Sequence, residues 1–396
     1  MNGKEKARLR SNIWKYTFFR VLYCFALFVP IFVLFLQDLG LSLTQIMLLQ
    51  SIYAIAIVLL EVPTGYFADI FGRKKSLIIG SVFFLLSLLS MSFGTLFFHF
   101  LIAEIFWALF TSLISGSDSA LIYDTLKDLK DEVTYKKVWG NIIFISTLAI
   151  GVANILGGFI GAINFRWTFY FMLPLAFLMI PMALSIKEPE RHKLIFKKNY
   201  FFELINIVKT EILTKPKLKW LILFGGIIYA FNQSALWFYQ PYFALSGLKI
   251  VHFGFVFASF QIVAAFSSKY AYKVEAFLGE KYSLVMLLVL VVVSYFLMGN
   301  FVYLFSFSFA FLQQFVRGFS NVVIGDYIHK LTESRIRATI LSVQSMFKNL
   351  VYAVLIPIFG YVADVYSLLQ TFLVIGATAF VIGSVLLYVL HRNKVF

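Results

Sequence analysis

Twelve apolar stretches of roughly 20 residues or more constrain this sequence more than any other feature. A helix that crosses the roughly 30 Å hydrocarbon layer of a membrane needs about that many apolar residues. Within the stretches, polar and apolar residues do not alternate as they do in the strands of a membrane β-barrel. The sequence therefore predicts an all-α integral membrane protein. The stretches cover residues 14–37, 44–68, 76–95, 97–123, 138–163, 166–186, 219–245, 251–273, 283–300, 302–329, 338–364 and 367–391.

Composition supports a lipid environment for most of the chain. Hydrophobic residues make up 61% of the 396 residues and charged residues 13%, and the mean hydropathy is +0.88. A water-soluble fold with this composition would expose large apolar patches.

The basic residues indicate the orientation of the stretches. If the N-terminus is cytoplasmic, 29 of the 34 lysines and arginines lie on the cytoplasmic side, and the outer loops carry only Arg166 and Lys249. This asymmetry is the positive-inside pattern. It predicts a multi-pass protein of the plasma membrane with both termini in the cytoplasm. The net charge of +15 follows the membrane and does not indicate a nucleic-acid partner.

The longest polar segment, residues 187–218, separates the sixth apolar stretch from the seventh. We expect an N-terminal bundle of six helices over residues 1–186, a basic cytoplasmic linker over 187–218, and a C-terminal bundle over 219–396. Within the linker, the apolar residues of 200–212 recur at helical spacing. That spacing favours either an amphipathic helix on the membrane surface or a simple basic tether.

An internal repeat supports this division. Gly116 is followed by Asp124 in the fourth stretch, and Gly318 is followed by Asp326 at the same distance in the tenth. In both halves a short basic loop and a long glycine-containing stretch come next. Such repeats are common in secondary transporters, whose substrate sites lie near the middle of the membrane.

The segment between the second and third stretches carries the most specific motif. Residues 65–75 read Gly-Tyr-Phe-Ala-Asp-Ile-Phe-Gly-Arg-Lys-Lys and resemble the signature inner loop of the major facilitator superfamily. A glycine permits close helix contact or a tight turn, and a carboxylate accepts hydrogen bonds from a helix N-terminus or a basic side chain. An ordinary basic loop would not explain the aspartate and the two glycines. The resemblance implies a conformational latch formed by Gly65, Asp69, Gly72, Arg73 and Lys74.

The same resemblance implies a fold of two six-helix bundles related by a pseudo-two-fold axis, working as a monomer by alternating access. The fifth stretch, residues 151–161, resembles the glycine-rich segment of proton-linked exporters, but Asn154 stands where proline is usual. In the fourth stretch, Glu104 stands where exporters usually have arginine. The resemblance favours proton-coupled export of amphiphilic or hydrophobic small molecules. The two departures keep open the uptake or exchange of a specific metabolite such as a sugar, a peptide or a lipid-like molecule.

Charged residues inside the apolar stretches are candidate functional sites, because a charge at bilayer depth costs about 2.5–3.5 kcal/mol. Glu104 is the candidate for proton coupling, since desolvation favours the neutral form of a carboxylate facing a cavity. The alternative is a polar residue near the outer end of the helix that water reaches.

Arg20, Asp118 and Glu61 lie at comparable depths in the first, fourth and second stretches, which predicts an inner ion-pair cluster. The alternatives are snorkelling of Arg20 to the interface and a purely structural pair for the two carboxylates. Arg317 and Lys348 lie near the middle of the tenth and eleventh stretches, and we assign them a cavity or coupling role.

Stretches one, four, seven and ten line the central cavity in the superfamily that the motif resembles. In the fourth stretch, Trp107 and Thr111 share a stripe with Glu104 and Asp118 at helical spacing. In the seventh, one face carries polar residues that either line the cavity or contact other helices. These cavity candidates are Trp107, Thr111, Gln233, Trp237 and Gln240.

Other functions find little support in the sequence. A Gly-rich phosphate loop is missing, so an ion gradient is the expected energy source. The five histidines form no metal-ligand pattern, and no nucleophile-and-base arrangement suggests an enzyme. We expect no cofactor and no metal. The expected partners are a small-molecule substrate, a proton or another coupling ion, and the lipid bilayer. A receptor or scaffold without transport activity is the remote alternative.

Overall fold

The computed structural model describes residues 3–190, 208–333 and 336–393, and within these ranges the chain is helical and has no strands. The all-α prediction is confirmed for them. The helices are α1 Gly3–Cys24, α2 Phe32–Asp38, α3 Leu43–Phe71, α4 Arg73–Phe93, α5 Phe97–Ser115, α6 Asp118–Asp128, α7 Tyr135–Ile163, α8 Phe165–Ser185, α9 Pro216–Leu245, α10 Ile250–Asn300, α11 Ala310–Lys330, α12 Arg337–Val365 and α13 Leu368–Arg392.

The predicted stretches all fall on these helices, although the helices differ in length from the prediction. Across the described ranges, nine candidate spans are long and apolar enough to cross a membrane. One of them, α10, covers 51 residues and consists of two helical segments that meet at Gly279 and carry the eighth and ninth stretches. The tenth stretch is helical in α11 only from Ala310, because residues 302–309 form a loop and a short 3₁₀ turn, and α11 carries a charged residue in its middle.

Two stretches that we predicted as single helices are interrupted. The first stretch divides into α1 and α2, with a turn at residues 25–31 that contains Pro30. Proline has no amide hydrogen and disfavours a helix interior. The fourth stretch breaks at Gly116 and Ser117, between α5 and α6.

A glycine in the left-handed region marks the same position in each half. Gly72 has φ 113° and joins α3 to α4, whereas Gly279 has φ 73° and interrupts α10. Residues with a Cβ rarely adopt such angles. The two glycines therefore provide equivalent helix junctions about 200 residues apart, in line with the repeat in the sequence.

The described residues fall into two compact units, each of which contains a segment from the other predicted bundle. The first unit comprises Met1–Phe35, Ile52–Lys197 and Ile250–Ala258. The second comprises Leu36–Ser51, Lys198–Lys249 and Ser259–Phe396. Most of the predicted linker, at residues 191–207, lies outside the described residues, as does most of the segment 200–212. The division into bundles at 186 and 219 stays a prediction.

In the second unit, a carboxylate from α12 caps the start of α3. Asp364 accepts hydrogen bonds from the Leu43 amide at 3.0 Å and from the Thr44 amide at 2.7 Å. The Thr44 hydroxyl donates to it at 2.5 Å. The first amides of a helix have no partner within the helix, and a negative charge there also complements the helix dipole. Asp364 therefore stabilises the first turn of α3.

In the first unit, the start of α10 packs against α7 with almost no separation between the two backbones. A Cβ added to Gly158 would lie 2.7 Å from the Gly254 amide nitrogen, and one added to Gly254 would overlap the Asn154 carbonyl oxygen. Such overlap excludes side chains on either glycine. The glycines of the fifth stretch thus provide a close helix contact.

Candidate functional site

The first half contains a partly buried ion pair between α1 and α6. Arg20 Nη1 lies 2.9 Å from Asp118 Oδ2, and the two side chains are 18% and 16% exposed. The guanidinium also lies 5.4 Å from the ring centre of Trp139 on α7. A guanidinium at this depth thus has both a carboxylate and an aromatic face beside it.

Glu61, the third member of the predicted cluster, lies on α3 and is half-buried. Its Oε2 atom is buried and has no hydrogen-bond partner among the described residues. The structure thus brings together Arg20 and Asp118, and no recorded hydrogen bond joins Glu61 to them. A buried carboxylate oxygen without a donor is costly when charged.

The predicted stripe on the fourth stretch is only partly continuous. Glu104 is 5% exposed and shares α5 with Trp107 and Thr111, but Asp118 lies beyond the break and starts α6. Trp107 packs against three aromatic rings, from the turn after α1, from α4 and from α5 itself, and the Thr111 hydroxyl donates to the Trp107 carbonyl at 3.0 Å. The rings around Trp107 belong to Phe28, Phe84 and Phe110.

The predicted latch residues lie where α3 ends and α4 begins. Arg73 forms an ion pair with Asp124 of α6. The Glu188 carboxylate accepts the amides of Arg73 at 2.9 Å and Lys74 at 2.7 Å, and so caps α4. Asp69 lies in the last turn of α3. Sequence reasoning missed Glu188, although a helix that starts after glycine has no side chain of its own to cap it.

The two glycines of the motif, Gly65 and Gly72, have different surroundings. Gly72 adopts a conformation that favours glycine, and a Cβ there would lie 2.9 Å from Glu188 Oε1. Gly65 lies under Gly116, where an added Cβ would be 3.3 Å from the Gly65 Cα. Gly116 therefore lets the end of α5 approach α3 closely, whereas a Cβ added to Gly65 would meet no atom within 4 Å.

In the second half, the Arg317 guanidinium contacts a neutral partner. Its Nη2 atom donates to the Gln261 side-chain carbonyl at 2.9 Å. Close packing of α11 on α10 explains this placement, because a Cβ on Gly318 would lie 2.9 Å from the Ser267 Cβ. The Ser268 hydroxyl donates to the Gly318 carbonyl at 2.9 Å. Gly318, the glycine of the Gly-Asp repeat, thus places the neighbouring arginine against α10.

Two residues of α12, Lys348 and Tyr352, contact side chains of α9. The Lys348 ammonium is 5.6 Å from the ring centre of Tyr229. One turn further along α12, the Tyr352 hydroxyl accepts a 3.0 Å hydrogen bond from the Trp237 indole. Gln233 is half-buried and Gln240 is buried.

Sequence reasoning missed the partners of these groups. Gln261 and Tyr352 have no distinctive spacing, and the buried Gln313 accepts a 2.8 Å hydrogen bond from Asn232. Glutamines inside an apolar stretch are a weak sequence signal for helix contacts. Among the described residues, no group of three His, Cys, Asp or Glu side chains could hold a metal ion.

Similarity to known proteins covers most of the chain. A sequence model of the Major Facilitator Superfamily matches residues 17–350. The uncharacterized MFS-type transporter YxaM of Bacillus subtilis (strain 168) is 29% identical over 243 residues, which are 59% of this chain and 58% of that protein. Multidrug resistance protein 2 of the same organism is 28% identical over 179 residues, 42% of each chain. The chain spans about half the length of the curated relatives it matches.

Solved structures share the fold over nearly the whole chain. The crystal structure of the nucleoside transporter NupG superposes with a TM-score of 0.77 and covers 98% of this chain and 99% of its own. The two sequences are 14% identical. At that level of identity the likeness concerns the fold alone.

Proposed function

The chain belongs to the major facilitator superfamily, and we propose that this multi-pass membrane transporter exports amphiphilic or hydrophobic small molecules in exchange for protons. The proposal adds direction, coupling and substrate class to membership of the family. Multidrug resistance proteins 1 and 2 of Bacillus subtilis, at 26% and 28% identity, support an amphiphilic substrate.

The observation that carries the proposal is the charge content of the first half. Glu61, Glu104 and Asp118 lie within its apolar stretches, whereas Arg20 is the one basic residue deep within them. Arg20 forms an ion pair with Asp118, and a charged carboxylate at this depth is costly. Proton binding neutralises a carboxylate without a second cation, so the first half is suited to carry protons.

We propose that Glu104 binds the coupling proton and that the Arg20–Asp118 pair responds to it. Glu104 is almost fully buried beside the aromatic cluster of Trp107. Protonation of Asp118 would weaken its ion pair with Arg20, because most of the attraction depends on the negative charge. In this proposal, Glu104 and Asp118 link proton binding to a change in the contact between α1 and α6.

Asp69 and Arg73 are proposed to hold the cytoplasmic side closed during alternating access of residues 1–186 and 219–396. The Arg73–Asp124 ion pair and the Glu188 cap give this region a charge network. Asp69→Asn is expected to slow cycling without preventing membrane insertion. Normal turnover in that variant would refute the latch assignment.

The test of coupling uses inverted membrane vesicles with an acidic interior. Accumulation of a panel of fluorescent lipophilic cations, anions and neutral dyes is measured with the gradient and after its collapse. We expect gradient-dependent accumulation that Glu104→Gln abolishes, because the variant cannot take up a proton. Glu132→Gln is the matched control, since Glu132 is exposed in the loop before α7. Transport by Glu104→Gln with full pH dependence would remove Glu104 from the proposal.

The second candidate is uptake or exchange of a specific metabolite. The observation that favours it is the polar cluster of the second half, in which Arg317 contacts Gln261 and Asn232 contacts Gln313. Such directional hydrogen bonds suit a polar substrate better than a purely hydrophobic one. The absence of accumulation for every dye in the panel would favour this second function.

A further inference from the structure

In the described part of the second half, two cations lie inside apolar helices and form no ion pair with a carboxylate. Among the described residues, the recorded ion pairs include neither Arg317 nor Lys348. Arg317 contacts a neutral amide and Lys348 an aromatic ring. Both side chains are only partly buried, so neither charge is fully enclosed by the described residues. Their positive charges are therefore not neutralised within this part of the protein.

The acidic residues of the second half do not change this balance. In its apolar stretches, Asp326 and Asp364 occur only at the ends. Asp326 forms an ion pair with Lys330, and Asp364 caps α3. Neither is free to neutralise a cation in the middle of the membrane. The cost of a buried charge therefore remains to be offset by another group.

The surroundings of Arg317 hold the guanidinium in place while leaving its charge available. Gln261 engages Nη2 at 2.9 Å, and an amide fixes orientation without supplying a negative charge. Gln314, one turn earlier on α11, is 4% exposed, and its side-chain oxygen accepts no hydrogen bond from the residues that the structure describes. A fixed guanidinium with free N–H donors fits a planar oxyanion such as a carboxylate or sulfonate.

We propose that the second half binds the acidic group of an organic anion, with Arg317 as the contacting residue and Lys348 as a second source of positive charge. The proposal rests on the proposed transport of amphiphilic molecules and specifies their chemical class as amphiphilic anions. The same chemistry occurs in the phosphate of an anionic lipid, so the test must separate the two sources.

The experiment measures equilibrium binding, which needs neither a gradient nor turnover. Purified protein in phosphatidylcholine nanodiscs is titrated with 1-anilinonaphthalene-8-sulfonate and with N-phenyl-1-naphthylamine, which has the same rings without the sulfonate. Empty nanodiscs supply the background. We expect Arg317→Gln to weaken binding of the sulfonate by about 10-fold or more, as for loss of a charge-assisted hydrogen bond. Binding of the neutral probe should not change.

Two further variants separate charge from packing. Arg317→Lys keeps the charge and should retain part of the sulfonate affinity, although it loses the planar geometry of the guanidinium. Lys281→Gln, in an exposed position beyond the Gly279 junction, should bind both probes as the original chain does. Size-exclusion profiles confirm that each variant is folded before titration.

The outcomes distinguish this proposal from the proposed function. Equal loss of both probes in Arg317→Gln, or no preference for the sulfonate in the original chain, would overturn the anion site. Sulfonate binding that depends on Arg317, without transport of any dye, would support the site and count against the export proposal. If phosphatidylglycerol in the nanodiscs suppresses sulfonate binding in the original chain, the site is an anion site occupied by a lipid phosphate.

Discussion

The two halves of the chain hold their intramembrane charges in different ways. In the first half, Arg20 lies 2.9 Å from Asp118, so a cation and an anion satisfy one another. In the second half, Arg317 contacts the neutral Gln261 and Lys348 contacts an aromatic ring. Carboxylates outnumber deep cations in the first half, whereas the deep cations of the second half form no ion pair within the described ranges.

This difference teaches that a repeat in the backbone does not require a repeat in the chemistry. Gly72 and Gly279 provide the same helix junction in both halves, and the Gly-Asp pairs recur at the same spacing. The charges between these landmarks diverge. We infer that the first half specialised in the coupling ion and the second in the substrate.

The largest expected effect is the loss of the first-half ion pair. Asp118→Asn leaves the Arg20 guanidinium without its carboxylate, and breaking a buried pair in this way costs about 3–5 kcal/mol. The thermal unfolding midpoint of the purified protein should fall accordingly. Arg20→Gln combined with Asp118→Asn should recover part of the loss. An Asp118→Asn variant as stable as the original chain would remove the contrast between the halves.

A smaller effect separates the two aspartates of the repeat. Asp124 is 18% exposed and forms an ion pair with Arg73, whereas Asp326 is 52% exposed and forms one with Lys330. Asp124→Asn should cost about 1.5–3 kcal/mol, as for a hydrogen bond to a charged group. Asp326→Asn should leave the unfolding midpoint unchanged, because solvent screens its pair. Equal effects of the two variants would show that the halves treat this position alike.

The cap on α3 is expected to contribute less. Asp364→Ala removes the acceptor of the Leu43 and Thr44 amides and should cost about 0.5–2 kcal/mol, the range for a helix N-cap. Thr44→Val removes one hydrogen bond and should lower the unfolding midpoint less. A greater effect of Thr44→Val would mean that Asp364 acts mainly through the Thr44 hydroxyl and not through the amides of the first turn.

The smallest effect on stability is expected at Arg317. Because no carboxylate among the described residues pairs with its charge, Arg317→Gln removes a desolvation cost together with one hydrogen bond. The free energy of unfolding should change by less than about 1 kcal/mol. The unfolding midpoint should therefore stay the same or rise. A fall as large as that of Asp118→Asn would mean that Arg317 has a structural partner like that of Arg20.

Much of the fold followed from local sequence. The apolar stretches predicted the helices because the thickness of the bilayer fixes their length. Depth along the stretches correctly placed Arg20 near Asp118. The turn at residues 25–31 was not predicted, because an apolar run of sufficient length resembles one helix whether or not it is broken.

The missing parts of the candidate site are contacts between distant segments. Glu188 caps α4 from 115 positions further along the chain, and Gln261 reaches Arg317 across 56 positions. Hydropathy reports the depth of a residue in the membrane but not which neighbouring helix it faces. The sequence therefore does not reveal the contact partner of a neutral polar residue such as Gln261, which depends on how the helices pack.

The cap on α3 also bears on how the protein is made. Synthesis proceeds from the N-terminus, so Leu43 leaves the ribosome 321 positions ahead of Asp364, which accepts its amide. The tight contact of Gly158 likewise waits for Gly254, beyond the linker. A nascent chain that stops after residue 186 would thus lack pieces of its own architecture. We expect the early helices to complete their packing only after the last helices are inserted. Until then, the early helices depend on the insertion machinery.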